Sequence, residues 1–216
     1  MKTSKKREHQ TTTEEWFNTI SHGITFLTAI GGMTVLIVFG AQSDKQWTLF
    51  SALIYGISLV LLYAVSSLYH GIQKPKTKRF FNILDHCGIY ILIAGTYTPI
   101  VLIMIGGELG WLFFGVQWGL ALIGIILKIF YTGRFGAIST TMYAIMGWLV
   151  LVKGNMIYHI LPAPAFWLLL SGGIAYTVGI VFYVIDTRMK LSHFIWHLFV
   201  MAGSLLHYLM MALYVF

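Results

Sequence analysis

The sequence predicts an all-α, polytopic membrane protein of seven transmembrane helices, and three observations carry that prediction. Hydrophobic residues make up 58% of the chain against 10% charged, with a mean hydropathy of +0.80, a balance outside the range of soluble globular domains. The apolar residues are gathered into runs suited to crossing a hydrocarbon core of about 30 Å. Lys and Arg fall almost entirely in alternate loops between those runs, the asymmetry that orients a membrane protein. The net charge of +7 is therefore read as topology and contact with anionic headgroups, and nucleic acid is excluded as a partner. The one cysteine, Cys87, allows no intramolecular disulfide and reads as apolar packing.

In chain order, Met1 to Ile20 is polar, with Lys2, Lys5, Lys6, Arg7, Glu8, His9, Glu14 and Glu15. It reads as a cytoplasmic N-terminal tail, residues 1–20, ahead of a transmembrane domain, residues 21–216. The first apolar run, Ser21 to Ala41, is too long for a signal-peptide core and lacks an A-x-A cleavage pattern, so it is kept as a spanning helix. Further helices are expected over Trp47–Tyr69, Ile83–Met104, Leu109–Ile129, Ala137–Val152, Ala163–Ile185 and His193–Phe216. The fifth is short for a bilayer and is bordered by Gly133, Gly136, Gly154 and Pro162. Trp47, Trp111, Trp148 and Trp167 near helix ends read as interfacial anchors, and Gly115-x-x-x-Gly119, Gly172, Gly173 and Gly179 suit close helix packing.

With seven helices, the basic residues of the tail, Lys74, Lys76, Lys78, Arg79, Lys128, Arg134, Arg188 and Lys190 share one side, and only Lys45 and Lys153 face the other. The positive-inside rule then makes the N-terminus cytoplasmic and the C-terminus external. Loop charge alone thus brings Ser66 and His70 at the end of the second helix, Asp85 and His86 at the start of the third, and His193 and His197 at the start of the seventh to the cytoplasmic end.

His193 and His197 lie one helical turn apart, with Cβ atoms about 6 Å from each other, so both rings can reach one ion. Ionisable side chains at membrane depth need partners and mark functional sites. Three histidines with an open fourth position form a common catalytic zinc arrangement, and His70, His193 and His197 can supply it. Three imidazoles with an open position favour Zn2+ among divalent ions. Asp85, expected to be the one acid inside a helix, is either a direct ligand or a base beside the metal's water; capping of the third helix is a further role open to it. Ser66, one turn before His70 on the same helix face, is placed to hydrogen-bond Asp85 or the metal's water. His22 and His86 share this depth as alternative ligands or packing residues. His207, about 15 Å deeper than His197, is expected to hydrogen-bond within the bundle or line a cavity, and His159 to lie in a loop.

Asn18-x-x-x-His22-Gly23, Ser66-x-x-x-His70, Asp85-His86-Cys87-Gly88-Ile89-Tyr90 with Ala94-Gly95-Thr96-Tyr97-Thr98-Pro99, and His193-x-x-x-His197-Leu198-Phe199 resemble the bacterial hemolysin III family. That family belongs to a wider group of seven-helix proteins with the progestin and adiponectin receptors, and the alkaline ceramidases are more distant relatives. The resemblance covers everything but the tail. It implies a multi-pass protein of the bacterial cell membrane, with His70, His193 and His197 as zinc ligands, Asp85 as partner of the zinc's water and Ser66 as its support. It also implies membrane lipids as substrate or ligand. Three functions follow from it: zinc-dependent hydrolysis of lipid amides or esters in membrane-lipid homeostasis, a cytolytic pore with a structural metal, and lipid sensing without turnover.

Overall fold

The computed structural model describes residues 10–131 and 136–216, and His9, Gly133, Arg134 and the basic residues of the expected tail lie outside the described residues. The described chain is helical throughout, with seven helices long and apolar enough to cross a membrane. They are α1 (Thr12–Gln42), α2 (Thr48–Gly71), α3 (Pro75–Pro99), α4 (Gly107–Tyr131), a fifth span made of α5 (Gly136–Trp148) and α6 (Gly154–Ile160), α7 (Ala163–Val184) and α8 (Ser192–Met210). A 3-10 segment, Leu149–Lys153, joins α5 to α6, and π-helical turns extend α3 over Ile100–Ile105 and α8 over Met211–Val215.

Local chemistry sets several of these boundaries. The first helix begins at Thr12, ahead of its apolar run, because Thr11 and Glu14 form a capping box: Thr11 Oγ1 accepts from the Glu14 N–H at 3.3 Å, and the Glu14 carboxylate accepts from the Thr11 N–H at 2.8 Å. Its 31 residues run about 46 Å, more than the hydrocarbon core needs. Pro75 opens α3 at a position where its missing N–H costs nothing, so Asp85 lies well inside the helix and caps nothing. Pro99 removes a donor inside the same span, and the helix continues past it as a wider π turn. Gly106 and Gly107 then reverse the chain with φ of 64° and 57°, a conformation that disfavours a Cβ. The fifth span reaches Ile160 instead of stopping at Val152, since the 3-10 segment carries the helix through to α6. His159 is therefore helical, and Trp148 sits in mid-span instead of at an interface.

Burial runs opposite to that of a soluble bundle at the edges. In the first half of α1 the buried residues are Glu14, Asn18 and His22, one turn apart, while Ile20, Ile24 and Leu27 face outward. A polar stripe turned inward and an apolar surface turned outward suit a lipid solvent. The main core joins Tyr55, Leu59 and Tyr63 of α2 to Leu92 of α3, Val200 and Met210 of α8, and Ile157 of α6. Gly172 and Gly179 of α7 do meet neighbours in tight contact, His207 and Trp196 respectively. Gly115 and Gly119 have nothing within 4 Å of where a Cβ would stand, so that pair faces away from the chain's own helices.

Candidate metal centre

Three helices bring four histidines to one end of the bundle. α2 delivers His70 in its last turn, α8 delivers His193 and His197 from its first two turns, and α1 slides His22 between them and Tyr63. His70, His193 and His197 each offer a ligand atom within 4.8 Å of the other two. Their ring centroids are 4.9 to 5.2 Å apart. Among the described residues this is the grouping whose ligand atoms converge, and Asp85 is not in it.

The donor set fits a metal ion on the evidence of its unpaired nitrogens. His70 Nε2, His193 Nδ1 and His197 Nδ1 are buried without a hydrogen-bond partner. Leaving three buried imidazole nitrogens unmade is costly unless another ligand takes them. The ring of His70 is oriented for this purpose: its Nδ1 lies 2.6 Å from Glu15 Oε2, and Lys78 Nζ lies 2.9 Å from Glu15 Oε1. A carboxylate on one imidazole nitrogen fixes the tautomer and frees the other for a cation. His193 Nδ1 stands 3.3 Å from Asp186 Oδ2, close enough for an ion pair but without hydrogen-bond geometry.

Around this cluster the start of α1 is clasped to the segment that leads into α8. Glu14 Oε1 accepts the Leu191 N–H at 2.7 Å, Gln10 Nε2 lies 3.5 Å from Asp186 Oδ2, and Asn18 Nδ2 donates to Gln10 Oε1 at 2.8 Å. Glu14 thereby ties α1 to the left-handed residue that starts α8.

Ser66 is buried one turn before His70, and the Asp85 carboxylate has Ser66 and His193 as neighbours. Both residues face a cavity of about 290 Å³ that His193 and His197 also line. The cavity runs between α3, α5, α7 and α8, and its lining includes Gly147 and Thr177, exposed on the outer surface of α5 and α7. The two helices are bridged there by Trp148 Nε1 donating to Thr177 Oγ1 at 3.0 Å. The cavity thus reaches the lipid-facing side of the bundle.

The remaining histidines separate by their partners. His86 lines the cavity, but its Nδ1 bonds the Asn82 carbonyl at 2.7 Å and its Nε2 lies 3.4 Å from Tyr183 Oη, outside the cluster. His22 stacks on His197 with centroids 3.6 Å apart and an interplanar angle of 11°, a packing role for the ring that keeps His197 in place. Glu14, Glu15 and Asp186 belong to the site's surroundings although composition assigns them to the tail and a loop. The spacing Glu14, Asn18, His22, with turns of four along a helix opened by a capping box, is the signal that finds α1's contribution.

Fold and site together define a seven-span α-helical membrane protein with a histidine cluster able to hold a metal ion. The sequence profile described as Haemolysin-III related matches residues 10–208, and the chain belongs to that family. It is 43% identical to "Hemolysin-3" of Bacillus cereus over 94% of this chain and 92% of that one. It is 44% identical to "Hemolysin-3 homolog" of Bacillus subtilis (strain 168) over 88% and 89%. The human "Monocyte to macrophage differentiation factor" is 29% identical over 88% of this chain and 80% of its own length. No solved structure matches the chain. Bacterial relatives and seven spans place the protein in the cell membrane as a multi-pass protein.

Proposed function

We propose that this protein is a zinc-dependent hydrolase of membrane lipids, cleaving an amide or ester at the cytoplasmic face of the cell membrane as part of membrane-lipid homeostasis. The observation that carries the reading is the convergence of the buried His70 and His197 with the partly buried His193 beside the Asp85 carboxylate, with His193 and His197 on the wall of a cavity that reaches the lipid-facing surface. The cytoplasmic placement rests on the basic residues Lys74, Lys76, Lys78, Arg79, Arg188 and Lys190 at the same end of the bundle.

His70, His193 and His197 are the residues that hold the ion. Zinc bound there supplies Lewis acidity toward a carbonyl and an acidified water. Glu15 keeps the His70 ring turned with Nε2 toward the cluster. Asp85 acts as the general base, taking up a proton at its carboxylate, with the Ser66 hydroxyl holding it in position. The cavity takes an apolar chain through the side of the bundle between α5 and α7.

The test is fatty-acid release from defined ceramides and phospholipids by purified, zinc-loaded protein. Release that is abolished in Asp85→Ala supports the reading; release unchanged in that variant sinks it. A cytolytic pore draws on the printed name of the Bacillus relative, but the outward faces of α1, α4 and α7, with Leu27, Leu122 and Val181, are apolar and line no aqueous path. Dye leakage from liposomes that persists in His193→Ala/His197→Ala would favour the pore.

A further inference from the structure

About 15 Å below the metal centre, ten residues further along α8, the same cavity meets one more unpaired imidazole. His207 is 8% exposed and lines the cavity wall. Its Nε2 lies 3.0 Å from the Leu169 carbonyl oxygen, so in the neutral ring Nε2 carries the proton and donates it. Nδ1 is then a lone-pair acceptor, and it is buried without a partner among the described residues. The ring is not there as filler. Gly172 makes room for it, since a Cβ at that position would collide with His207 Cδ2 and Nε2.

The other polar groups at this depth are bonded to one another and supply a donor. Tyr63 Oη donates to Ser204 Oγ at 2.7 Å, and Ser204 Oγ lies 2.7 Å from Tyr176 Oη. Either hydroxyl can donate in the Tyr176–Ser204 bond, and when Ser204 donates Tyr176 keeps its own proton for a ligand; Tyr176 also lines the cavity beside His207, with ring centroids 5.5 Å apart. The neighbouring Tyr97 is fully used, donating to the Gly147 carbonyl and accepting from the Val150 N–H, both at 2.8 Å. Thr96 donates to the Leu92 carbonyl at 2.8 Å. A hydroxyl that donates to His207 Nδ1 satisfies that nitrogen, and where Ser204 is the donor to Tyr176 the same hydroxyl has Tyr176 as a donor on the cavity wall.

We infer that His207, with Tyr176, forms a second polar subsite of the cavity that selects acyl chains carrying a hydroxyl in mid-chain. A straight alkyl chain covers about 15 Å in about twelve carbon–carbon bonds of 1.5 Å along its zigzag. The hydroxyl that fits is therefore about a dozen carbons from the group held at the metal end. This inference rests on the reading that the cavity takes a lipid, and its test separates the two.

Oleate and ricinoleate differ in one hydroxyl, about twelve carbons from the carboxylate on the latter, and make the matched pair. Purified full-length protein is equilibrated with an equal mixture of the two, freed of unbound ligand by gel filtration, and its retained fatty acids are quantified by mass spectrometry. Retention of ricinoleate over oleate by about fivefold, the scale of one net hydrogen bond, is expected. Oleate hydroxylated next to its carboxylate should show no such preference, and His207→Phe should lose it. Equal retention of ricinoleate and oleate by the wild type overturns the inference, leaves the lipid cavity standing and means that water alone occupies the His207 acceptor. A preference that survives in folded His207→Phe also overturns it. Retention of neither fatty acid above a detergent blank overturns both the subsite and the lipid reading of the cavity. The wild-type comparison decides without any variant, so a poorly folding His207→Phe leaves the test intact.

Discussion

Helix α8 carries histidines of two kinds, and the contrast between its ends shows what separates a metal centre from a hydrogen-bonding site. At its start, His193 and His197 meet His70 from another helix, and carboxylates stand around them: Glu15 on His70, and Asp186 and Asp85 near His193. Near its end, His207 has a neutral carbonyl on one nitrogen, two tyrosines and a serine nearby, and no second imidazole in contact among the described residues. Both ends bury an imidazole nitrogen with nothing bound to it. Several convergent nitrogens with anionic support suit a divalent cation, whereas one isolated lone pair suits a hydroxyl.

The sharpest way to break the comparison is to remove ligands at one end only. His193→Ala/His197→Ala should take the purified protein from about one zinc per chain to background by elemental mass spectrometry, while His207→Phe keeps its metal. Loss of metal in both variants would erase the distinction. Next in size, Asp85→Asn should lower lipid hydrolysis by a factor of about 100 to 10,000, the usual contribution of a general base, with zinc content unchanged. If Asp85→Asn instead empties the site, the aspartate is a ligand and the helix-end cluster is larger than three.

Glu15→Gln tests whether the carboxylate beside His70 matters as argued. It should weaken zinc binding by about 10- to 100-fold in a chelator competition, because the amide holds the ring less firmly. Unchanged affinity would reduce Glu15 to a partner of Lys78. Smallest, Gly172→Ala puts a methyl group into the His207 ring and should cost about 1 to 3 kcal/mol, read as a lower melting temperature, with the metal retained.

The spans were legible because lipid demands long apolar runs, and loop charge was enough to gather Ser66, His70, Asp85, His193 and His197 at one end before any contact was known. The shortfalls have physical causes. An apolar run marks the part of a helix inside lipid, so it misses the polar turns of α1 that project beyond it and carry Glu14, Glu15 and Asn18. For the same reason Asp85 looked like the one acid in a helix, although Glu14 and Glu15 are helical too. The fifth span looked short because Lys153 and Gly154 interrupt its pattern, while the backbone passes through them as a tightened 3-10 turn. Gly115-x-x-x-Gly119 has the spacing of a packing motif but no neighbour, since spacing reports a smooth helix face and not what lies against it. That His22 would stack on His197 depends on the rotation of α1 about its own axis, which no linear pattern contains.

The clasp between Glu14 and the Leu191 N–H joins positions 177 residues apart, and its consequence is one of timing. Chains emerge from the ribosome N-terminus first. The first span therefore waits in the bilayer while five others are translated, and Glu14 Oε1 meets the Leu191 N–H only when the last span arrives. A product that terminates before Leu191 holds one of the three clustered imidazoles and lacks that hydrogen bond. The three imidazoles able to hold a metal ion are thereby complete only in a chain translated to its final helix.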